Sequence, residues 1–352
     1  MPYGHKAFFQ RPAGKKVADP AISSKTNTVS SAAFRINAVL LLSLAVIPPL
    51  LFLTGQPFWL DVFTRLVILA LAATALNLVL GFGGLVSFGH AAYLGLGAYA
   101  VGIPTYHALY GGMDAVASYN GFLHLGLAIA VSALFALLTG AVSLRTRGVN
   151  FIMITMAFGQ MIFYAIVALE NYGGDDGLTI DVRSEFPLIS LDNPLTLYAV
   201  CYLSLLITLF LVYKITRSRF GLALQGARSN EERMRSLGVH CYRYQLVAYV
   251  ISGALCGYAG FLLGNFTTFI SPEMMDWTRS GELMFMVILG GAAFLCGPIF
   301  GAAVFILLEQ LLRDFTIHWH LPFGIILILS VLFFRGGLAG AIDRLRSKGS
   351  DQ

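Results

Sequence analysis

Long apolar runs, each closed by a short polar stretch, divide the sequence into segments of membrane length. A helix needs about 20 apolar residues to cross the hydrocarbon of a bilayer, and seven runs reach that length: 36–54, 62–81, 85–106, 122–144, 149–169, 195–213 and 245–264. An eighth region is apolar from Gly281 to Leu312 but carries Gly297-Pro298 inside it, where proline removes a backbone donor and clashes with the preceding turn. It predicts either one kinked helix or two short ones. A last run, Leu321 to Phe334, leads into a basic C-terminal stretch.

Charge decides how these runs are threaded. Lys and Arg concentrate on the cytoplasmic side of membrane proteins. With the N-terminus inside, six basic residues of the tail, two at 145–148 and seven at 214–243 share that side. The segment from Glu170 to Asn193 instead carries Asp175, Asp176, Asp181, Glu185 and Asp192 against one Arg183, as an outside loop would. Two passes for 281–312 keep Arg335, Arg344, Arg346 and Lys348 inside as well, which places 19 of the 23 basic residues in the cytoplasm. The expectation is an all-α polytopic membrane protein of about ten passes, two of them short or broken, with both termini inside.

Composition agrees. With 57% hydrophobic and 12% charged residues and a mean hydropathy of +0.76, the chain lacks the polar surface of a water-soluble domain. The start of the chain has no apolar h-region followed by a small-residue cleavage site, so no cleaved signal peptide is expected. Cys201, Cys241, Cys256 and Cys296 have no metal-site spacing and read as unpaired structural thiols.

The stretch GFGGLVSFGHAAYLGLGAYA, residues 81–100, holds six glycines, a serine and a histidine. Ser87, Ala91, Gly95, Ala98 and Gly102 fall at spacings of three and four, the close-approach pattern of helix pairs in lipid. Packing leaves Gly81 to Gly84, Ser87 and His90 unexplained, because flexible backbone and polar groups coincide there at the entry to a span. Irregular backbone at membrane depth is tolerated where it is buried in protein or lines a water-filled cavity. His90 therefore has two readings, a neutral hydrogen-bond partner between helices or a group bordering a translocation path. Thr155, Gln160 and Asn77 carry the same two readings, and Gly84 and Gly89 join them as candidate path residues. Arg65 is expected to snorkel to lipid headgroups. Trp59, Tyr106, Tyr110, Trp277 and Trp319 are expected to anchor the outer interface.

Between two spans lies a basic segment with a helix start at Ser229-Asn230, acids Glu231 and Glu232 in its first turn, basics Arg233 and Arg235 after them, and a stop at Leu237-Gly238. It predicts a short helix along the cytoplasmic face, held there by anionic lipid or docked into a cleft of a soluble partner.

Here a resemblance enters. Phe220-Gly221, Ala223-Leu224, Ala227-Arg228, Asn230-Glu231 and Leu237-Gly238 are similar to the cytoplasmic coupling motif of ABC-importer permeases. Asn77-Leu78 with the Gly-rich stretch, then RGVNFIMITMAFGQM (147–161), GGDDGL (173–178) and LGGAAFLCGPIFGA (289–302), resemble the LivM-type permease of branched-chain amino acid importers. The resemblance covers roughly residues 37–335. It implies a permease domain at 36–335 with a coupling loop at 214–243, between a cytoplasmic tail at 1–35 and another at 336–352. Implied partners are a second, LivH-type permease, two cytoplasmic ATPase subunits, a periplasmic or extracellular binding protein and membrane lipid, with no nucleic acid. ATP and Mg would be used by the partner ATPases, and Phe220, Gly221, Arg228, Asn230, Glu231, Arg235, Leu237 and Gly238 would belong to the docking segment. The implied location is the bacterial inner membrane. Three features depart from the family pattern: Asn150 replaces a more usual aromatic, Gly226 interrupts the loop, and the N-terminal tail is long.

No cofactor is expected in this chain, and no enzymatic role. There is no phosphate loop: Gly14-Lys15-Lys16 has Phe9 where the first glycine should stand. Ser87 with His90 lacks the GxSxG spacing of a hydrolase. An ion-coupled secondary transporter would need buried acids, whereas Glu170, Glu282, Glu309 and Asp314 are placed at span ends or in loops. The solute remains open, because related permeases serve leucine, isoleucine and valine, or urea, short amides and aromatic acids.

Overall fold

The computed structural model describes residues 31–111, 117–187, 190–292, 294–315, 318 and 320–333. The 336–352 tail, residues 1–30 of the N-terminal tail and Trp319 lie outside the described residues. In chain order the helices are α1 (Ser31–Leu53), α2 (Pro57–Asn77), α3 (His90–Tyr110), α4 (Gly121–Ser143), α5 (Val149–Val167), α6 (Pro194–Arg217), α7 (Arg219–Ser229), α8 (Glu231–Ser236), α9 (Cys241–Thr267), α10 (Trp277–Gly290), α11 (Gly297–Phe315) and α12 (His320–Phe333). The strands β1 (Leu178–Thr179) and β2 (Phe269–Ile270) pair antiparallel, Leu178 opposite Ile270, and tie two connecting loops together.

Five helical segments are long and apolar enough to cross a membrane: Pro57–Phe82, Gly121–Ser143, Val149–Val167, Pro194–Arg217 and Cys241–Thr267. α2 is the hub. Residues 70–77, ALAATALN, are buried on every side, as a helix apolar all round must be, and α1, α6, α9, α10 and α11 pack around it. At the other extreme only 17% of the α5 span is enclosed, against 78% for α2. The buried residues of α5, Phe151, Thr155 and Gly159, recur every four positions and form one narrow stripe.

Close backbone approach sets α3 against α9. A Cβ on Gly97 would lie 1.9 Å from Gly257 O, and one on Gly260 1.8 Å from Leu94 O. Gly257 also presses on Ser132 of α4, so α9 is wedged between α3 and α4. The 281–312 region holds two helices, not one kinked one: the chain breaks between Gly290 and Gly297, and Gly297-Pro298 opens the second helix. α10 and α11 fold back on each other as an antiparallel pair, because a Cβ on Gly301 would lie 1.7 Å from Met286 O and one on Gly290 1.8 Å from Gly297 O.

Four expectations need correction. α3 begins at His90, not at 85, because Gly84 takes φ +71° and residues 84–89 leave helical geometry. The basic segment holds two helices: α7 runs through Gly226, whose missing side chain makes room for Met234 of α8 folding back on it. Glu309 is not at a span end. It is buried at 2% exposure within α11, neutralised by Arg65 at 3.1 Å and Arg313 at 2.7 Å, so Arg65 is engaged in an ion pair. Trp277 is no terminal anchor either, since it follows Asp276, which Gln160 holds against the middle of α5.

Candidate functional site

Two features that were separate in the sequence meet in space: the Gly-rich break after α2 and the polar segment α7–α8. α2 runs into a π turn over Leu78–Phe82. Gly83, Gly84 and Leu85 then close back by backbone N–H bonds to Leu78, Leu80 and Val79. Such π turns recur at functional sites. Asn77 pins this turn to the α10–α11 break, its Nδ2 donating to Phe294 O at 3.0 Å, while its Oδ1 is buried without a partner among the described residues.

Beyond the turn, the chain climbs to His90 through a buried hydrogen-bond relay. His90 Nε2 lies 2.9 Å from Ser252 Oγ, and Ser252 Oγ donates to Ala75 O at 2.5 Å. A hydroxyl has one proton, so Nε2 carries the hydrogen of the imidazole and Nδ1 accepts from Ser87 Oγ at 3.1 Å. Ser87 in turn accepts from Tyr249, and Tyr249 from Tyr93 at 2.9 Å. His90 and Ser252 are fully buried and Ser87 is at 1% exposure. Both ring nitrogens are used within the chain, and the relay joins α2, α3 and α9. This geometry favours the interhelical reading of His90 and Ser87.

The other path candidates lie around α5. Thr155 Oγ1 accepts from Phe88 N at 3.3 Å, and a Cβ on Gly89 would sit 3.0 Å from Thr155 O, so α5 leans on the 87–89 loop. Gln160 Nε2 donates to Asp276 Oδ1 at 2.8 Å. Asp276 caps α10 by accepting from Thr278 N, and Arg279 pairs with Glu282 at 2.9 Å. The sequence reading passed over Asp276 and Arg279. The signal was present, an Asp one residue before an apolar helix, but the apolar run begins in the sequence at Gly281, beyond both residues.

The coupling segment is built from caps. Ser218 accepts from Gly221 N at the start of α7 and Asn230 accepts from Arg233 N at the start of α8. Gly221 has no room for a side chain, since an added Cβ would lie 2.3 Å from Thr216 O, and the Phe220 ring packs on Tyr244. Glu231 bridges Arg147 at 3.0 Å and Arg235 at 2.8 Å, joining α8 to the α4–α5 turn. Gly238 ends the segment at φ +81°, and Leu237 beside it is 72% exposed. Arg228 turns inward: its guanidinium donates to Gly81 O and its stem lies against Gly84. A cavity of about 430 Å³ opens between the 84–86 loop, the 144–148 turn and α8, with Arg145, Arg147, Arg235 and Glu231 on its wall.

Residues 58–333 match the family described as the permease component of branched-chain amino acid transport systems. The chain belongs to this family. The permease is 28% identical to the high-affinity branched-chain amino acid transport system permease protein LivM of Salmonella typhimurium, over 92% of this chain and 78% of the relative, and equally to LivM of Escherichia coli. It is 24% identical to the autoinducer 2 import system permease protein LsrC of Yersinia pestis, over 63% of this chain and 66% of that one. No solved structure matches. A multi-pass membrane permease accounts for the apolar helices, the buried polar relay and the capped basic segment together.

Proposed function

We propose that this permease forms one half of the translocation path of an ATP-driven importer for branched-chain amino acids in the bacterial inner membrane. A second permease of the same family supplies the other half, two cytoplasmic ATPase subunits hydrolyse ATP with Mg, and a binding protein delivers the solute from outside. The observation that carries the reading is the match to both LivM proteins along 92% of the chain. The charge distribution and the α10–α11 hairpin, two helices in place of one kinked one, support a reading of ten passes with both termini inside.

In this reading α7 and α8 are the docking segment. Two leucines stand out on it, Leu222 at 64% and Leu237 at 72% exposure, on a segment otherwise rich in Arg. Exposed apolar side chains on a polar helix pair suit a cleft in a soluble partner. Arg228 then links that dock to the backbone at Gly81, so a push on α7 reaches the break below α3 without passing through a loop.

Reconstitution in liposomes tests the whole. The permease, its partner permease, the ATPases and the binding protein are expected to take up labelled leucine, isoleucine and valine only with ATP. Uptake without ATP, or ATP-driven uptake of urea or amides in place of these amino acids, would overturn the assignment.

A further inference from the structure

The placement of α10 exposes charge where a membrane protein has no cause to leave it. Gln160, the bond partner of Asp276, is residue 12 of the 19-residue α5, about 16 Å from one end and 10 Å from the other at 1.5 Å per residue. Ser280 Oγ accepts from Ala91 N at 3.0 Å. Ala91 follows His90, which bonds Ser252, residue 12 of the 27-residue α9. α10 therefore starts at the middle of two spanning helices. The chain reaches that depth from β2 through Met275, which packs against Gly95 of α3.

At this depth Asp276 is half-buried, the Arg279 side chain is 42% exposed and that of Glu282 is 23% exposed. Ionisable groups inside a membrane face the bundle interior or a water-filled cavity, and Asp276 is bonded to Gln160 of α5, the least enclosed of the five spans. We infer that Gln160, Asp276 and Arg279 form a contact site for the charged α-carbon end of a zwitterionic amino acid inside the translocation path. This deepens the importer reading and rests on it.

The chemistry fits that class of ligand. Asp276 caps α10 and Arg279 lies in its first turn, so opposite charges meet at one helix end. Arg279 presents a planar fork suited to a carboxylate, one nitrogen of which is held by Glu282 at 2.9 and 3.2 Å and is able to exchange one carboxylate for another. Asp276 Oδ1 accepts from Gln160 and keeps a lone pair for an ammonium group. Exposed Met161 and Trp277 stand alongside as apolar surface for an aliphatic side chain.

Two experiments on the assembled importer test this. In the first, Arg279→Gln and the shape-conserving Asp276→Asn are each expected to lower leucine uptake at least tenfold, while the subunits co-purify in unchanged ratio and ATPase activity stimulated by the binding protein persists. Arg279→Lys is expected to recover part of the rate. Unchanged uptake, or a complex that no longer assembles because the patch is a subunit contact, overturns the inference. In the second, Trp277→Cys is expected to react with a charged, water-soluble thiol reagent and to be protected by leucine. The four native cysteines are buried and give little background. Reaction only with a lipid-soluble maleimide, or no reaction, overturns it. Failure of the unmutated importer to move any amino acid would instead sink the importer reading, and is seen before any variant is made.

Discussion

Gly260 and Glu309 show how differently single residues can be committed. At Gly260 the constraint is contact with backbone, Leu94 O lying 1.8 Å from where a Cβ would stand. Neither helix can yield by a rotamer change, so Gly260→Ala is expected to destabilise the permease by about 1–3 kcal/mol, read as a lowered melting temperature in detergent. At Glu309 the constraint is charge. Breaking a buried pair costs about 3–5 kcal/mol, and Arg65 and Arg313 are 32% and 47% exposed, so solvent screening discounts this to about 2 kcal/mol for Glu309→Gln. Arg65→Gln is expected to cost less, since Arg313 remains beside the carboxylate. The sequence showed the glycines of 81–100 as a packing surface, but not that Gly257 and Gly260 of α9 receive it. Which helix meets which is a matter of tertiary register, and no periodicity in one segment encodes it. Glu309 was legible as an acid near an apolar run, and its partners, 244 residues away in the case of Arg65, were not.

Among elements, α8 depends most on a single side chain. Its six residues are far below the length at which an isolated helix is stable, and Asn230 supplies the acceptor at its start. Asn230→Ala is expected to remove about 1 kcal/mol of local stability, with faster proteolysis at 230–238 and weaker retention of the ATPase. Asn230→Asp, an equal cap, is expected to behave as the unmutated chain. α8 was legible because caps, acids and a terminal glycine all agree there. α7 was hidden because Gly221 and Gly226 each cost about 1 kcal/mol of helix propensity, a deficit made good by packing on Thr216 and Met234. α10 was legible as the first of two short passes in 281–312, but its start at Trp277 was not, because Arg279 and Glu282 place charge in the first turns of the 14-residue helix.

For the molecule as a whole, the uneven enclosure of its spans carries the message. α2 is closed off by its own chain and α5 is not, so if a second permease pairs with this one, as proposed, the surface around α5 is where it would add stability. Co-purification with the partner permease is expected to raise the melting temperature of this chain, because binding to the folded state alone shifts its equilibrium. Tyr164→Cys, at a site 65% exposed, is expected to react with maleimide in the isolated permease and to be shielded in the pair. Full reactivity in both would place the partner on another face.

The bond from Arg228 to Gly81 O has a thermodynamic corollary. If nucleotide in the ATPase alters the affinity of the path for solute through this contact, solute in the path must alter nucleotide affinity by the same factor, since coupling free energies between two sites are reciprocal. Arg228→Ala is then expected to shrink both factors together, in paired titrations of solute and of a non-hydrolysable nucleotide. Such an arginine would work equally in both directions, as a reporter of occupancy to the cytoplasm as much as a lever upon the membrane.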